Sequence, residues 1–451
     1  MDALTVTVIG AGYVGLATAA ALKLAGHRVA VVERSPARLE ILRAGHLPFS
    51  EPGLEVGLSG VEFTDDLGAA IPSSSVVMIA VGTPPTPSHG VDLSQVFGVI
   101  KELAAHLDSV PRAIVIKSTV PVGTAAEISA TLQRLAPNAV FAVCSNPEFL
   151  RQGRALRDAV FPDRIVIGAD DALSLELLRR LYAPLEWASC MVPAFLEPYR
   201  PPAPIPVVTV SVQSAELAKY AANAFLAMKI SFVNEIANVC DTTGNADVDQ
   251  ITEILGLDKR IGSDFLRAGL GYGGSCFPKD TRALSQTASR NGYDFQLLRS
   301  VIEVNARQRG RALERLERKL GGFRGRNLSV LGLTFKPDTD DLRESIGVEI
   351  ALELLAAGAT VTTHDPVAAT AARALLPSQI RVTDDLELAL TGADAAVLVT
   401  EWEAYLNADW GQLARVMRRA TVLDGRNALE PQVMRTAGVE YIGIGRGAAK
   451  P

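Results

Sequence analysis

The chain contains 451 residues, 48% of them apolar and 21% charged, so it exceeds the length that one hydrophobic core usually serves, and two or three domains are expected. Its 44 basic and 50 acidic side chains give a formal charge of -6, and no Lys- or Arg-rich tract favours nucleic acid or an anionic membrane as a partner. Four widely spaced cysteines predict neither a disulfide framework nor a metal site, and they favour the reducing cytoplasm. We also expect no signal peptide and no membrane span.

The first part of the chain alternates short β-rich runs with helix-like segments. This alternation predicts an α/β domain with a Rossmann-type, doubly wound parallel sheet over residues 1–190. The predicted strands are Thr5–Ile9, Arg28–Val32, Val76–Val81, Ala113–Lys117, Val140–Val143 and Arg164–Ile167, and the predicted helices include Leu16–Ala25 and Leu93–Leu107.

A proline cluster between Pro193 and Pro206 follows this domain. Neither a helix nor an inner strand accommodates so many prolines, so residues 191–213 are predicted to be a linker or a surface insertion. Ser214 is then expected to cap a long Ala-rich helix that is closed by Gly244. This helix opens a predicted central helical domain over residues 214–310.

The alternation of strands and helices resumes at about Arg326. It predicts a second, Rossmann-like α/β domain over residues 311–451, although this half lacks the glycine fingerprint of the first and no sequence repeat is expected. The predicted strands are Asn327–Gly332, Ala359–His364, Ala393–Thr400 and Thr421–Asp424, and a predicted helix is Val348–Ala357.

A glycine motif lies between the first predicted strand and helix. Gly10 suits a tight turn, Gly12 lets the backbone approach a pyrophosphate at the helix N-terminus, and Gly15 permits close packing of helix and strand. Glu33 ends the next strand, where it can accept hydrogen bonds from ribose hydroxyls. This context predicts NAD as the cofactor, while the adjacent Arg34 keeps NADP open as the alternative.

A second constellation runs from Gly271 to Asp280. Its glycines are predicted to let the backbone lie against a ligand, and Pro278 suits the first turn of a helix. Cys276 then falls at a helix N-terminus, where the helix dipole and Lys279 favour a nucleophilic thiolate. The alternative is that Cys276 is a small buried apolar residue, as assumed for the other three cysteines.

Lys219 and Asn223 are four residues apart on the long helix and therefore share one face, with Glu216 just before them. The pair is either a solvated stripe or an ammonium and an amide placed beside an oxyanion. A thiolate nucleophile has a specific use in an NAD enzyme, because the thiohemiacetal of an aldehyde supplies the alkoxide that gives up hydride easily. Such a site can convert an alcohol into an acid.

Together, these residues resemble the UDP-glucose/GDP-mannose dehydrogenase family over nearly the whole chain. The resemblance is carried by a set of motifs that occur in the family's order. They are Gly10-Ala11-Gly12-Tyr13-Val14-Gly15, Val81-Gly82-Thr83-Pro84-Pro85, Ser118-Thr119-Val120-Pro121, Asn146-Pro147-Glu148-Phe149-Leu150, the helix around Lys219 and Asn223, Gly273-Gly274-Ser275-Cys276 with Asp280, Gly332-Leu333-Thr334-Phe335-Lys336 and Arg343-Glu344-Ser345.

The resemblance implies oxidation of C6 of a nucleotide sugar to a uronic acid, with two NAD consumed and a thioester formed on Cys276. It implies that Lys219 steadies the oxyanions, that Asn223 positions water or the reacting oxygen, and that Glu148 is the acid/base residue. Asp280 and Thr119 are implied to orient the proton-transfer water. The alternatives for these two are a helix-start preference for Asp280 and packing at a strand end for Thr119.

The resemblance also implies the ligand contacts. For NAD they are Gly10, Gly12, Tyr13, Val14, Gly15, Glu33, Thr83, Thr119, Lys279 and Arg343. For the sugar nucleotide they are Phe149, Leu150, Lys219, Asn223, Arg260, Phe265, Gly273, Phe335, Lys336 and Arg426. Arg260 is implied to cross the interface of a homodimer, or of a higher homo-oligomer, formed through the central domain.

The sequence around Met228, Arg260 and Tyr272 resembles the UDP-glucose branch of the family, so UDP-glucose is the expected substrate. GDP-mannose, a UDP-N-acetylhexosamine and a two-electron hydroxyacid dehydrogenase reaction stay as alternatives. Two features depart from the family pattern: Gln152 stands where a glutamate is frequent, and the proline-rich stretch is longer than the usual connection.

Overall fold

The computed structural model describes residues 3–446. It forms two compact units, the first ending at Ala222 and the second beginning at Asn223. This division does not test the predicted domain boundaries at residues 190, 213 and 310, which stay predictions. Within residues 3–446, no helix has both the length and the apolar character needed to cross a membrane.

The described part of the first unit contains an eight-stranded sheet in the order β3-β2-β1-β4-β5-β6-β7-β8. Its strands are β1 Thr5–Ile9, β2 Arg28–Val32, β3 Glu62–Thr64, β4 Val76–Ile79, β5 Arg112–Ile116, β6 Phe141–Ser145, β7 Ile165–Gly168 and β8 Val207–Val210. The strands from β3 to β6 are parallel, whereas Ser145 and Gly168 pair in the antiparallel sense, so that β7 and β8 run in the opposite direction.

Helices cover both faces of this sheet, and apolar clusters fill the space on each face. The helices are α1 Tyr13–Leu24, α2 Pro36–Arg43, α3 Leu54–Gly57, α4 Leu67–Ala70, α5 Ser94–Ala104, α6 Thr124–Leu135, α7 Ala155–Val160 and α8 Ala172–Glu186. The chain order of the strands reverses between β1 and β4, as it does at the ligand-binding switch point of doubly wound sheets. The predicted doubly wound fold is therefore confirmed.

The proline-rich segment, which is predicted to be a linker or a surface insertion, contains regular secondary structure. It forms a 3-10 helix over Ala194–Tyr199 and then enters the sheet as β8, which pairs with β7. The guanidinium of Arg200 also donates hydrogen bonds to the carbonyl oxygens of Ala188 and Cys190, which follow α8. The prolines end at Pro206, immediately before this short edge strand, which needs only one partner strand.

The long helix α9 spans Val212–Thr243. Its start differs from the predicted cap at Ser214, because the hydroxyl of Ser211 accepts the hydrogen bond from the Ser214 amide. Its end agrees with the prediction, since Gly244 follows with a φ of +81°.

The second unit continues with helices and then a six-stranded sheet in the order β11-β10-β9-β12-β13-β14, in which every strand pair is parallel. Its strands are β9 Asn327–Leu331, β10 Thr360–His364, β11 Arg381–Thr383, β12 Ala395–Leu398, β13 Thr421–Asp424 and β14 Glu440–Ile442. Its helices after α9 are α10 Val248–Leu257, α11 Phe277–Arg290, α12 Gln296–Leu320, α13 Ile346–Ala356, α14 Ala369–Leu375, α15 Leu386–Leu390, α16 Glu403–Leu406, α17 Trp410–Val416 and α18 Pro431–Thr436. The predicted second Rossmann-like domain is confirmed.

Two glycines beside the second sheet, Gly332 and Gly347, have the same packing roles as Gly10 and Gly15 beside the first. A Cβ on Gly332, where φ is +97°, would lie 2.5 Å from Thr400, and a Cβ on Gly347 would overlap the Gly332 carbonyl oxygen. Gly10 and Gly15 meet the same restriction in the first sheet. Fourteen residues, 333–346, separate Gly332 from Gly347, whereas four separate Gly10 from Gly15, so the motif cannot be recognised by its spacing.

Candidate active site

The turn between β1 and α1 forms a cradle for a dinucleotide. Gly10 has a φ of +106°, and a Cβ there would lie 2.7 Å from the Ala80 carbonyl oxygen, whereas a Cβ on Gly15 would overlap the Gly10 carbonyl oxygen. Gly12 is the N-cap of α1, and a Cβ there would meet nothing within 4 Å. Gly12 therefore leaves open space at the N-terminus of α1, and a helix N-terminus is where a pyrophosphate binds.

Glu33 lies directly after β2 and beside this cradle. Its carboxylate accepts hydrogen bonds from the Ala11 amide at 3.2 Å and from the Ser35 amide at 2.8 Å, so its position is fixed. The neighbouring Arg34 pairs instead with Glu102 on α5. A fixed carboxylate repels a 2′-phosphate, and the arginine that kept NADP open is already paired with an acidic residue.

The other predicted cofactor contacts of the first unit lie around the same sheet edge. Tyr13 and Val14 begin α1, and the Tyr13 ring stacks on Phe49 with centroids 3.8 Å apart. Thr83 follows β4 and Thr119 follows β5, and both side chains are half-buried. Strands β1, β4 and β5 are parallel neighbours, so these segments leave the sheet at its carboxyl edge.

Gly15→Ala and Gly12→Ala are expected to separate packing from cofactor binding. Gly15→Ala forces the backbone of the turn apart and should lower the free energy of unfolding by roughly 1–3 kcal/mol. Gly12→Ala has room for its methyl group, so it should unfold like the wild type but bind NAD at least about tenfold more weakly. Urea unfolding and NAD titration by calorimetry measure the two effects, and equal NAD affinity in Gly12→Ala and wild type would contradict the assignment.

A buried ion pair joins Glu148, in the loop after β6, to Lys219 on α9. The Lys219 Nζ lies 2.9 Å from the Glu148 carboxylate, and the two side chains are only 6% and 9% exposed. Burial by itself raises the pKa of the Glu148 carboxyl, but the Lys219 ammonium and the Leu150 amide outweigh burial, so this pKa lies below its ordinary value. The site therefore holds an ionised carboxylate that can accept a proton.

Phe149 and Leu150 continue from Glu148. The Leu150 amide donates a hydrogen bond of 2.5 Å to the Glu148 carboxylate, which fixes the acid against its own loop. The Phe149 ring lies 3.6 Å from the guanidinium carbon of Arg164, a cation–π contact that holds the ring in place. Glu216, by contrast, is structural, because it accepts hydrogen bonds from the Gly123 and Ala125 amides at the start of α6.

Sequence reasoning missed three polar residues beside this ion pair. The Lys117 Nζ and the Tyr182 hydroxyl both donate to the Asn146 side-chain oxygen, at 2.8 and 2.5 Å. All three side chains are buried. A signal was available in the sequence: Lys117 directly precedes Ser118-Thr119-Val120-Pro121, and Asn146 begins the segment that contains Glu148. Both residues therefore follow strands at the carboxyl edge of the sheet, where ligands bind in doubly wound folds.

Cys276, in the second unit, is the N-cap residue of α11, as predicted from Pro278. Among the four cysteines, all of which lie in the described range, Cys276 is exposed and the other three are buried. Its thiol lies 3.7 Å from the Ser275 hydroxyl. An accessible sulfur at a helix N-terminus is placed to react as a thiolate, because the helix dipole stabilises negative charge there.

Asp280 lies one turn into α11 and is almost fully buried. Its carboxylate accepts a hydrogen bond of 2.6 Å from the Asn223 amide and pairs with the Lys279 ammonium. Three predicted site residues of the second unit thus form one cluster beside the cysteine helix. Asp280 does more than favour a helix start, because its side chain holds the Asn223 amide in one orientation.

The glycines before Cys276 are required by packing, whereas their contact with a ligand stays a prediction. A Cβ on Gly273 would overlap the Glu344 carbonyl oxygen, and a Cβ on Gly274 would lie 2.6 Å from the Phe335 ring. The Gly274 amide donates to that same Glu344 oxygen at 3.1 Å. The glycines are needed because the loop after β9 packs directly against this segment.

Two predicted phosphate-binding cations lie at the carboxyl edge of the second sheet. Lys336 follows β9, and Arg426 follows β13 and donates hydrogen bonds to the Val399 and Phe335 carbonyl oxygens. This edge holds the switch point between β9 and β12, where ligands bind in doubly wound folds. Arg343 lies in the same loop system, where it forms a bidentate pair with Asp341 and is 62% exposed.

The last two predicted substrate contacts lie before the cysteine segment. Arg260 is 89% exposed and pairs with Asp258, so its guanidinium lies at the surface of the second unit. Phe265 has a φ of +64°, and its ring packs at 5.9 Å against Phe277 in the first turn of α11. A bulky residue in this backbone region is unusual and marks a locally strained turn.

A glycine cradle with a fixed acid at the switch point of a doubly wound sheet, and a helix-capping thiol in the second unit, define a dinucleotide-dependent dehydrogenase with covalent chemistry. Comparison with known proteins identifies the family. Residues 4–186 match the NAD binding domain of the UDP-glucose/GDP-mannose dehydrogenase family, residues 213–307 match its central domain, and residues 329–431 match its UDP binding domain. The chain belongs to this family, which confirms the predicted resemblance and the predicted NAD cofactor.

Individual relatives match over nearly the full length. The chain is 43% identical to a UDP-glucose 6-dehydrogenase of Pseudomonas aeruginosa, with 97% of each chain covered. It is 39% identical to a UDP-glucose 6-dehydrogenase of Bacillus subtilis, with 99% of each covered. A solved UDP-glucose dehydrogenase from Pyrobaculum islandicum superposes with a TM-score of 0.88 at 37% identity, covering 99% of this chain and 98% of that one.

Proposed function

We propose that the protein oxidises C6 of UDP-glucose to the carboxylate of UDP-glucuronate. The observation that carries this proposal is the exposed Cys276 thiol at the start of α11, because a two-electron alcohol dehydrogenase needs no nucleophile. The names of the relatives that share this chain's full length support the choice of sugar. The balanced reaction takes one alcohol, two NAD⁺ and one water to one carboxylate, two NADH and three protons.

The roles of the residues follow from their chemistry. The Cys276 thiolate adds to the C6 aldehyde to form a thiohemiacetal, and oxidation of that adduct leaves a thioester that water cleaves. We assign Lys219 and Asn223 to the oxyanions of these adducts, since an ammonium and an amide both stabilise developing negative charge. Glu148 accepts and returns protons, and Asp280 and Thr119 orient the water.

The glycine cradle and Glu33 fit NAD, as the open space at Gly12 indicates, and NAD supplies a hydride acceptor when it is bound. We assign further NAD contacts to Tyr13, Val14, Thr83, Lys279 and Arg343. The uridine diphosphate is assigned to the second unit, where Lys336 and Arg426 offer fixed cations to a diphosphate. The sugar is assigned to Phe149, Leu150, Phe265, Gly273 and Phe335.

A panel of sugar nucleotides tests this function. With UDP-glucose we expect two NADH per sugar consumed and a carboxylate product, measured by absorbance and mass spectrometry. One NADH per substrate would establish the alternative two-electron reaction. Faster turnover of GDP-mannose or of a UDP-N-acetylhexosamine, with the same stoichiometry, would keep the chemistry and reassign the substrate.

We also propose that the protein is a homodimer formed through α9. The exposed side chains of Phe225, Phe232 and Val239 are spaced by seven residues, and each is more than half exposed in the single chain. A seven-residue spacing places them in one seam along the helix, which is the pattern that a second helix covers. We assign the exposed Arg260, which pairs with Asp258 in the single chain, to a ligand of the partner subunit.

Phe232→Asp is expected to convert the dimer into monomers, because it places a charge in the centre of the apolar seam. Light scattering after gel filtration measures the mass. Val433→Asp is the matched control, since Val433 is 60% exposed on α18, away from the seam. An unchanged mass for Phe232→Asp, or the same dissociation in the control, would contradict the interface.

The cytoplasm is the proposed location. A mechanism that depends on a reduced thiol at Cys276 requires a compartment that keeps exposed thiols reduced.

A further inference from the structure

Lys117 is a buried ammonium that the proposed reaction does not use. It follows β5 directly, and its side chain is 8% exposed. Its Nζ donates a hydrogen bond of 2.8 Å to the Asn146 side-chain oxygen and lies 5.9 Å from the centre of the Tyr182 ring. A lysine is seldom buried without a carboxylate bonded to it, so this placement needs an explanation.

Asn146 connects Lys117 to the acid of the site. Its side-chain oxygen also accepts the Tyr182 hydroxyl, and its amide nitrogen donates 2.7 Å to the Val166 carbonyl oxygen. The side chain is therefore held from three directions. Glu148 follows two residues later, so the anchor of Asn146 also anchors the short segment that carries the acid.

Lys117 and Glu148 also line one cavity of about 50 Å³, which has room for a few water molecules. Glu148 carries the opposite charge, and its attraction to Lys117 lowers the pKa of the carboxyl further than Lys219 and the Leu150 amide do alone. The titratable and charged groups that face Lys117 or line this cavity are Glu148, Lys219, Tyr182, Asp158, Asp163 and Arg164.

Burial opposes the charge on Lys117. It lowers the pKa of this lysine to about 8, against the attraction of Glu148 and with the help of repulsion from Lys219. The chain thus keeps an ammonium group at a place where desolvation disfavours its charge. A buried charge beside a reacting group is typical of a functional residue.

We propose that Lys117 is a positioning residue, whose ammonium anchors Asn146 and holds Glu148 as a carboxylate for the proton transfers. The kinetic part of this inference rests on the proposed function. The electrostatic part concerns the resting protein and stands independently of the substrate.

Lys117→Gln tests the charge while it keeps a hydrogen-bond donor for Asn146. Loss of this positive charge is expected to raise the pH midpoint of the acidic limb of kcat, because Glu148 then accepts a proton more readily. Lys117→Arg retains the charge and is expected to restore the wild-type midpoint. Lys117→Met, which removes donor and charge together, is the more severe second variant.

Tyr182→Phe is the matched control, because it removes the other donor to the same Asn146 oxygen and leaves every charge in place. It is expected to keep the wild-type midpoint. A change of rate without any shift of the midpoint in Lys117→Gln would overturn the proposal in favour of a purely structural anchor. An equal shift in Tyr182→Phe would overturn it in the same way.

A carbon-13 titration of labelled glutamate carboxyls separates this inference from the proposed function. The Glu148 signal is assigned by its loss in Glu148→Gln, and no substrate is added. Its midpoint should rise in Lys117→Gln even if UDP-glucose is not the substrate. An unmoved Glu148 midpoint would refute the role of Lys117, whatever sugar the enzyme oxidises.

Discussion

Cys276→Ser is expected to abolish formation of the uronic acid, with a fall in kcat of roughly a thousandfold or more. A serine hydroxyl at the start of α11 is almost entirely protonated at neutral pH, so it adds to the aldehyde poorly, and no thioester can form. The loss is measured as carboxylate produced and as NADH per sugar consumed. Wild-type amounts of acid from the serine variant would remove the thioester from the mechanism.

A chemical experiment tests the same residue without mutation. Cys276 is the exposed thiol, whereas Cys144, Cys190 and Cys240 are buried. Iodoacetamide should therefore modify one thiol per native chain, in step with the loss of activity, and prior binding of UDP-glucose should slow both. Cys190→Ala is the control and is expected to keep both the activity and the single reactive thiol.

Lys219→Met is expected to have the second largest effect, because it acts on both chemistry and stability. Loss of an oxyanion-stabilising cation costs about a hundredfold to a thousandfold in kcat. Removal of one partner from the buried pair also leaves the Glu148 carboxylate without its closest cation, which costs about 3–5 kcal/mol in the free energy of unfolding. Lys101→Met, at an exposed position on α5, is the matched control and should change neither quantity.

The pH dependence of stability identifies the cause of this loss. In the wild type the pKa of Glu148 is lowered by folding, so its contribution is present above the ordinary pKa of a glutamate and is lost as the pH falls through the folded value. Without Lys219, burial raises that pKa, and protonation of Glu148 then relieves the unpaired charge. The deficit of Lys219→Met should therefore shrink between about pH 7.5 and about pH 5.5.

Urea unfolding at the two pH values measures this deficit. The double variant Lys219→Met with Glu148→Gln carries no buried charge at this pair, so it should recover much of the stability but none of the activity. A deficit that stays the same on acidification would show that Lys219 stabilises the fold through packing and not through its charge.

Local signals in the chain predicted much of the site correctly. The turn from Gly10 to Gly15 was recognised because three glycines, a strand, a helix and an acid lie within 24 residues, 10–33, of one another. Cys276 was placed at a helix N-terminus because Pro278 stands two residues later. Constraints of this kind act within one strand-helix-strand unit or one helix start, so the residues that satisfy them are close in sequence.

Contacts between distant parts of the chain escaped prediction. Lys117 and Asn146 are 29 residues apart, and Asn223 and Asp280 are 57 residues apart, so no local pattern pairs them. The long helix was also started three residues late, since either Ser211 or Ser214 offers a hydroxyl and only the backbone geometry selects Ser211 as the cap.

The sequence by itself determined the family, the order of strands and helices, the NAD cradle and the position of the thiol. Each of these features depends on residues that are neighbours in the chain. Only the tertiary structure decided that the glycines before Cys276 serve the packing of the loop after β9, and that β8 emerges from a proline-rich segment. It also decided that Glu148 pairs with Lys219 and lines one cavity with Lys117. Burial and charge pairing depend on distances in space, and these distances cannot be read from the order of residues along the chain.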